Sequence, residues 1–406
     1  MGDPDRVLTS VAATLYASPN ALAPFYSRFR VAERLLLTGH SHQAWPDAGF
    51  EGQTRAWLDA AELVDDKWDR AFAQADRVRA GFAGLLGDGS GQYALGANTH
   101  ELVVRLLSAL PLRQRPRLVT TDGEFHSIRR QLDRLKEEGL EVVRVPETPV
   151  ETVAGRLADE VNDRTALVLV SLVFFDSGRI ARGLAEVAAR CRHHGCRLLV
   201  DAYHALNVVP VSLAGEGLED AFVVGGGYKY CQLGEGNCFL RMPADTDLRP
   251  VITGWFSEFT VLADWQEPGR VAYGQGADQL AGATYDPTSH YRGAAVFDFF
   301  SDRGLTAAVL REVSQHQIAV LAAGFDALDL DPAVIRRDRA VPLEELGGFL
   351  ALHSPHAAPL VGALHARGVR ADARGDVLRL GPAPYLSDRQ LGDAIALLGE
   401  AARKQR

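Results

Sequence analysis

The sequence predicts an α/β fold with a largely parallel sheet, followed by a smaller α+β unit. Between Gln92 and Met242 seven short apolar runs alternate with amphipathic stretches of helical length, the pattern of strands joined by crossover helices. After Phe300 that alternation stops and two long helical patterns bracket short strand-like runs. The 406 residues, 47% hydrophobic and 23% charged, are enough to bury a large core in more than one domain.

In chain order, residues 1–50 read as an N-terminal arm: a short helical pattern, then Pro19 and Pro24, then Leu35 to Leu37 running into Thr38-Gly39-His40-Ser41-His42. From Gly49 to Leu86 apolar positions at Trp57, Leu58, Ala61, Val64, Trp68 and Phe72 alternate with charges at helical spacing, until Gly87-Asp88-Gly89 ends the pattern. The large domain, residues 51–300, carries the strand-like runs Tyr93 to Leu95, Leu118 to Thr121, Val142 to Val145, Ala166 to Val173, Leu198 to Asp201, Phe222 to Val224 and Phe239 to Met242. The remainder, 301–406, reads as a helix from Leu305 to Leu328, a strand from Gly348 to His353, a helix from Pro359 to Arg367, a strand from Val377 to Leu380 and a last helix from Asp388 to Arg403.

Charge and composition exclude several functions. A net charge of -9 leaves no broad basic face for nucleic acid. No run approaches a membrane span, and Met1-Gly2-Asp3-Pro4-Asp5 lacks the basic-then-apolar plan of a signal peptide. These features predict a cytoplasmic protein. Cys191, Cys196, Cys231 and Cys238 match no metal knuckle and are too sparse for a disulfide scaffold. His40 and His42 fall on one face of an extended segment, but no third or fourth ligand accompanies them, so no metal site is expected.

Four segments point to chemistry. In Val223-Val224-Gly225-Gly226-Gly227-Tyr228-Lys229-Tyr230 a buried-type strand runs through three glycines to one of only four lysines in the chain. A lysine in apolar surroundings loses its proton readily and becomes a nucleophilic amine, a Schiff-base candidate; the plain alternative is a surface lysine after a turn. Leu198-Leu199-Val200-Asp201 sets a carboxylate at a strand end, where it can partner a pyridine nitrogen or simply cap a turn. Asn98 and Thr99 lie in a small-residue turn that opens a helix, suited to a phosphate or to plain capping. In Thr121-Asp122-Gly123-Glu124-Phe125-His126, Phe125 can stack on a planar ring or fill the core.

Taken in this order the four segments resemble the fold type I pyridoxal phosphate enzymes of the class V aminotransferase superfamily, and within it kynureninase. Tyr228-Lys229-Tyr230 followed by Gly234-Glu235-Gly236 is similar to the family's Tyr-Lys-Tyr-Leu-Asn-Gly-Gly-Pro-Gly, and Asp201-Ala202-Tyr203-His204 to its Asp-Leu-Ala-His. Gly254-Trp255-Phe256, Ala283-Thr284 with Pro287, and Arg374 to Pro382 around Arg379 resemble further family motifs. The resemblance spans residues 38 to 386. It implies a mostly parallel seven-stranded sheet, pyridoxal 5'-phosphate as cofactor and a homodimer with its active sites at the interface.

It also implies roles. Lys229 would form the Schiff base and move the proton, Asp201 would pair with the pyridinium nitrogen, and Phe125 would stack on the ring. Asn98, Thr99, Tyr228 and His204 would surround the phosphate, with Thr284 reaching it and Trp255 lying near the site, both from a second subunit. Tyr228 would assist proton transfer and Arg379 would clamp the substrate carboxylate. His40 and Ser41 occupy the arm segment that lines the substrate pocket in the family, where its Asn-Ser-Leu-Gly reads His40-Ser41-His42-Gln43. Ile128 and Cys231 to Gly236 depart from the family as well. The implied activity is hydrolytic Cβ–Cγ cleavage of kynurenine or a related amino acid. The alternatives are a class V aminotransferase, a β-eliminating lyase, a decarboxylation-dependent deaminase, or a retired protein that only binds the cofactor. Desulfuration lacks its loop cysteine, since no Cys follows Cys238.

Overall fold

The computed structural model describes residues 11–405; the N-terminal pentapeptide read above for a signal lies outside them. β1 (Leu35–Leu36) precedes two helices, α1 (Asp47–Leu63) and α2 (Lys67–Leu85). The central sheet follows: β2 (Gln92–Gly96), β3 (Arg117–Thr121), β4 (Glu141–Val145), β5 (Thr165–Ser171), β6 (Arg197–Asp201), β7 (Phe222–Gly226) and β8 (Cys238–Met242), in spatial order β2-β8-β7-β6-β5-β3-β4. β8 runs antiparallel to both its neighbours, and the other pairs in the sheet are parallel. Every residue of β5 is buried, as expected of a strand covered on both faces.

The crossovers carry α3 (Thr99–Ala109), α4 (His126–Glu137), α5 (Val153–Asp159) and α6 (Leu184–His194). α4 shows how sequence sets packing: Ile128 and Leu132, four residues apart, are buried while its arginines face outward. Then come α7 (Thr288–Asp302), which runs across the boundary expected after residue 300, and α8 (Ala307–Ala327). α1 and α2 pack on α7.

The C-terminal unit holds β9 (Leu350–His353), α9 (Ala357–His365), β10 (Val369–Arg370), β11 (Asp372–Arg374), β12 (Val377–Leu380) and α10 (Asp388–Ala402). β11, β12 and β9 form an antiparallel sheet in that order. α10 starts with a capping box in which the Ser387 and Gln390 side chains bond each other's backbone N–H. The arm is stitched to this unit: β1 pairs with β10, and Thr38 bridges Gly381. That pairing brings residues 38–43 back over the carboxyl ends of the central strands.

The seven apolar runs thus appear as seven strands. The run expected to reach Val173 leaves the sheet after Ser171, because Val173 pairs instead with Ile180. α7 was not anticipated: buried His290 and Arg292 interrupt the apolar period of its inner face. Nor were β10 and β11, which are two and three residues long.

Candidate active site

In a parallel sheet the carboxyl ends of neighbouring strands open into one crevice. Asp201 is the last residue of β6 and pairs in register with Ser171, the last of β5. Lys229 follows three residues beyond Gly226, the last residue of β7. Gly226 has a steric reason, since a Cβ there would stand 2.5 Å from both the Tyr203 hydroxyl and the Cys238 sulfur.

Lys229 is buried, and its Nζ donates to the His40 carbonyl at 3.2 Å. The ring centroids of Phe125, Tyr203 and Tyr228 lie 5.7, 5.3 and 5.3 Å from that nitrogen. Burial, joined by the charge of Arg379, pushes the ammonium down from the usual 10.5 to about 7, although Asp201 and Asp372 pull the other way. Asp201 is raised to about 6 by burial, tempered by the Tyr203 N–H that donates to its Oδ1 at 2.8 Å and by Lys229. The Tyr228 hydroxyl is pushed up to about 12 by burial first, then by Cys238 and Asp201.

His204 sits with Lys229, His40 and Arg379 as its titratable neighbours; burial holds it well below the usual imidazole range, and its Nδ1 has no hydrogen-bond partner. Arg379, on β12, is buried with its Nε and Nη2 on the two oxygens of Asp372 at 2.9 and 2.6 Å and its Nη1 on the Phe175 carbonyl at 2.7 Å. His40 is fully buried and reaches Asp372 Oδ1 through Nε2 at 2.8 Å. Ser41 is half-buried beside His42, its Oγ 3.2 Å from Nδ1.

Asn98 and Thr99 open α3. The Asn98 side chain accepts from the Glu101 N–H at 2.9 Å and so caps the helix, while the Thr99 N–H lies against the Cys238 thiol. Trp255 and Thr284 are exposed and bonded to each other, Nε1 to Oγ1 at 3.1 Å. Thr284 lines a cavity of about 1020 Å³ together with Gly96, Ala97, Glu101, Glu235 and Gly236. Lys229 does not line it. The structure therefore gathers Lys229, Asp201, Phe125, Tyr228, His204, His40 and Arg379, and leaves Trp255 and Thr284 on an outer face.

Sequence reasoning passed over two carboxyl groups here. Asp372 stands directly across from Arg379 in the β11–β12 hairpin; counting outward from the Gly375 turn would have found it. Glu124, behind Phe125, is buried and accepts from Thr121 Oγ1 at 2.7 Å, Ser171 Oγ at 2.6 Å and Ser171 N at 3.1 Å. Burial pushes it up to about 7. Its position beside a ring-stacking candidate was the available signal.

No family model matches the sequence. Among curated proteins the chain is 28% identical to a kynureninase of Deinococcus radiodurans, over 84% of this chain and 80% of that one. It is 22% identical to the uncharacterized aminotransferase YcbU of Bacillus subtilis, over 84% and 87%. Among solved structures the cystine C-S lyase C-DES, in complex with its product cysteine persulfide, superimposes with a TM-score of 0.77 at 16% identity, covering 91% of this chain and 98% of that one. The fold is that of the type I pyridoxal phosphate enzymes, and in sequence the chain is similar to kynureninases.

Two of the three segments that depart from the kynureninase motifs, the arm and the loop after Lys229, touch each other. Gln43 Oε1 accepts from Gln232 Nε2 at 2.7 Å, and His42 Nε2 lies 3.5 Å from Glu235 Oε1. The His42 ring also stacks on Tyr228, with centroids 4.7 Å apart. The arm and the loop after Lys229 thus meet as one contact unit beside the candidate site. Among the described residues, no group of three or more His, Cys, Asp and Glu side chains could hold a metal ion, and no helix is long and apolar enough to cross a membrane.

Proposed function

We propose that this chain is a pyridoxal phosphate-dependent enzyme that works on an amino acid at Lys229 in the manner of a kynureninase, hydrolysing the Cβ–Cγ bond of kynurenine or a related amino acid. The observation that carries the reading is the convergence, in one buried crevice, of a weakly basic lysine, a strand-end carboxylate and a buried arginine. The residues fit the cofactor on two further points. His204 Nδ1 is a buried polar atom without a partner, and among the described residues Asp201 accepts a hydrogen bond on Oδ1 alone. Lys229 would hold the cofactor, Asp201 would pair with its pyridine nitrogen, Phe125 would stack on its ring, and Tyr228, His204, Asn98 and Thr99 would complete the shell. When bound, pyridoxal phosphate supplies an electron-accepting ring for bonds broken next to the substrate's amino-bearing carbon.

The chain's own groups do the rest. Lys229, at about 7, is partly neutral near physiological pH, so it can take a proton from the substrate's α-carbon and return it. Tyr228 keeps its proton below about 12 and can donate it to a substrate oxygen as water adds to the γ-carbonyl. Arg379 has two of its five N–H groups left for a substrate carboxylate. Incubation of the cofactor-loaded protein with L-kynurenine or its 3-hydroxy form is expected to release the corresponding anthranilate, read by fluorescence, and alanine in equal amounts. Pyruvate or another keto acid from an amino acid panel, with no anthranilate, would replace hydrolysis by elimination or transamination. No turnover of any panel member would leave only the cofactor-binding alternative.

The reading includes a homodimer, with Trp255 and Thr284 reaching the site of a second copy. Its support is an exposed apolar stretch, Val251, Ile252, Trp255, Phe259, Leu262, Trp265 and Val271, which includes Trp255 and is tied to Thr284 by the Trp255 Nε1–Thr284 Oγ1 hydrogen bond. Light scattering is expected to give twice the 44.0 kDa of one chain; a stable 44.0 kDa species carrying full activity would contradict it.

A further inference from the structure

His40 stands where the family's arm has an asparagine, yet its ring is not presented to a ligand. The imidazole is fully buried. Its Nδ1 edge packs on Gly381, where an added Cβ would come within 2.2 Å, and its face tilts against Phe349 at 4.9 Å. The Nε2 edge alone makes a hydrogen bond, to Asp372 Oδ1 at 2.8 Å. A carboxylate only accepts, so Nε2 carries the proton and the ring is neutral with Nδ1 bare. That state agrees with burial holding the imidazole at about 4.

Asp372 then connects the ring to the guanidinium. Both its oxygens are used on the Nε–Nη2 edge of Arg379, and Oδ1 is shared with His40. Two rigid planar groups, imidazole and guanidinium, are fixed to one carboxylate, and Phe175 holds Nη1 from the far side. The backbone carbonyl of His40 accepts a hydrogen bond from Lys229 Nζ at 3.2 Å. One residue of the arm therefore touches both the lysine and the charged chain that orients the arginine.

We propose that His40 is a positioning residue, which through Asp372 fixes the Arg379 guanidinium in register with Lys229 for a carboxylate-bearing substrate. This rests on the reading of Arg379 as the holder of the substrate carboxylate. The side chain acts on Arg379, while the carbonyl that meets Lys229 survives any substitution. Loss of the imidazole should thus weaken carboxylate binding far more than turnover, the signature of lost uniform binding.

The test uses the pyridoxal phosphate-loaded protein and propionate, a carboxylate without an amine, titrated by calorimetry. His40→Leu keeps bulk but removes the donor, whereas His40→Gln places an amide N–H where Nε2 was. The expected result is a propionate Kd raised about tenfold in His40→Leu, the scale of one charge-assisted hydrogen bond, and restored to within about threefold in His40→Gln. With the active amino acid, KM should follow the same pattern while kcat changes by less than about threefold. Equal losses in both variants, or none in His40→Leu, would overturn the proposal. Arg379→Ala separates the two readings: if it binds propionate as well as the unaltered protein does, the clamp reading fails and takes the proposal with it. If Arg379→Ala loses binding and His40→Leu does not, only the role of His40 falls.

Discussion

Lys229→Ala is expected to lower turnover by about 10²- to 10⁴-fold, the size of a lost proton-transferring group at a reacting carbon, while the fold persists. The other three lysines cannot substitute. Lys67 is half-buried with its Nζ on the Val64 carbonyl, and Lys136 and Lys404 are exposed. Only Lys229 sits among aromatic rings with its basicity reduced by burial. The direction of that shift fixes a pH dependence. Because the neutral amine already dominates above about 7, capture of pyridoxal phosphate by the cofactor-free protein should speed up as pH rises to about 7 and then level off. An ordinary lysine would continue gaining toward 10.5. The same shift acts on stability: between about 7 and 10.5 the unfolded chain binds more protons at this residue than the folded one, so its penalty is relieved as pH rises. Stopped-flow absorbance across pH 6 to 10 reads the first effect, and a rate still climbing at the top of that range would contradict the assigned environment.

The largest expected loss of stability lies away from the crevice, at Arg241 on β8. Its side chain is 1% exposed and its partner Asp88 4%. The guanidinium gives Nε and Nη2 to Asp88 at 2.8 and 3.2 Å, and Nη1 to the Glu219 and Ala221 carbonyls at 2.6 and 2.8 Å. The Tyr93 hydroxyl adds a third donor to Asp88 at 2.8 Å. Burial alone would raise that carboxyl, but Arg241 and Tyr93 outweigh it and hold it well below the usual carboxylate range. Arg241→Met should cost about 3–5 kcal/mol, because it strands a buried carboxylate. Asp88→Leu combined with Arg241→Met should recover part of that loss, since no uncompensated charge then remains, while the Tyr93 hydroxyl and the Ser90 and Gly91 N–H groups lose their acceptor. Urea denaturation of the two variants checks both statements; a double variant no more stable than the single one would show that the stranded charge is not the cause.

Signals confined to a few consecutive residues were legible in the sequence. Alternating apolar runs located the seven strands of the sheet, and a strand end followed by glycines and a lysine located the crevice. What stayed hidden depended on distance along the chain. The pairing of β1 with β10 joins residues more than 300 apart, and His40 meets Asp372 across 332 positions. No local pattern carries such contacts. Asn98 shows a second reason: one side chain fits both a phosphate cradle and a helix cap, and the structure shows it capping α3. α7 shows a third, because polar residues buried for helix packing blurred its period.

The proposed chemistry stands on Lys229 holding pyridoxal phosphate. Borohydride reduction of the cofactor-loaded protein, followed by proteolysis and mass mapping, tests it most directly. A stable pyridoxyl label is expected on the peptide containing Lys229 and none on Lys67, Lys136 or Lys404. A label on one of those three, or a chain that binds the cofactor and yields no label at all, would contradict it.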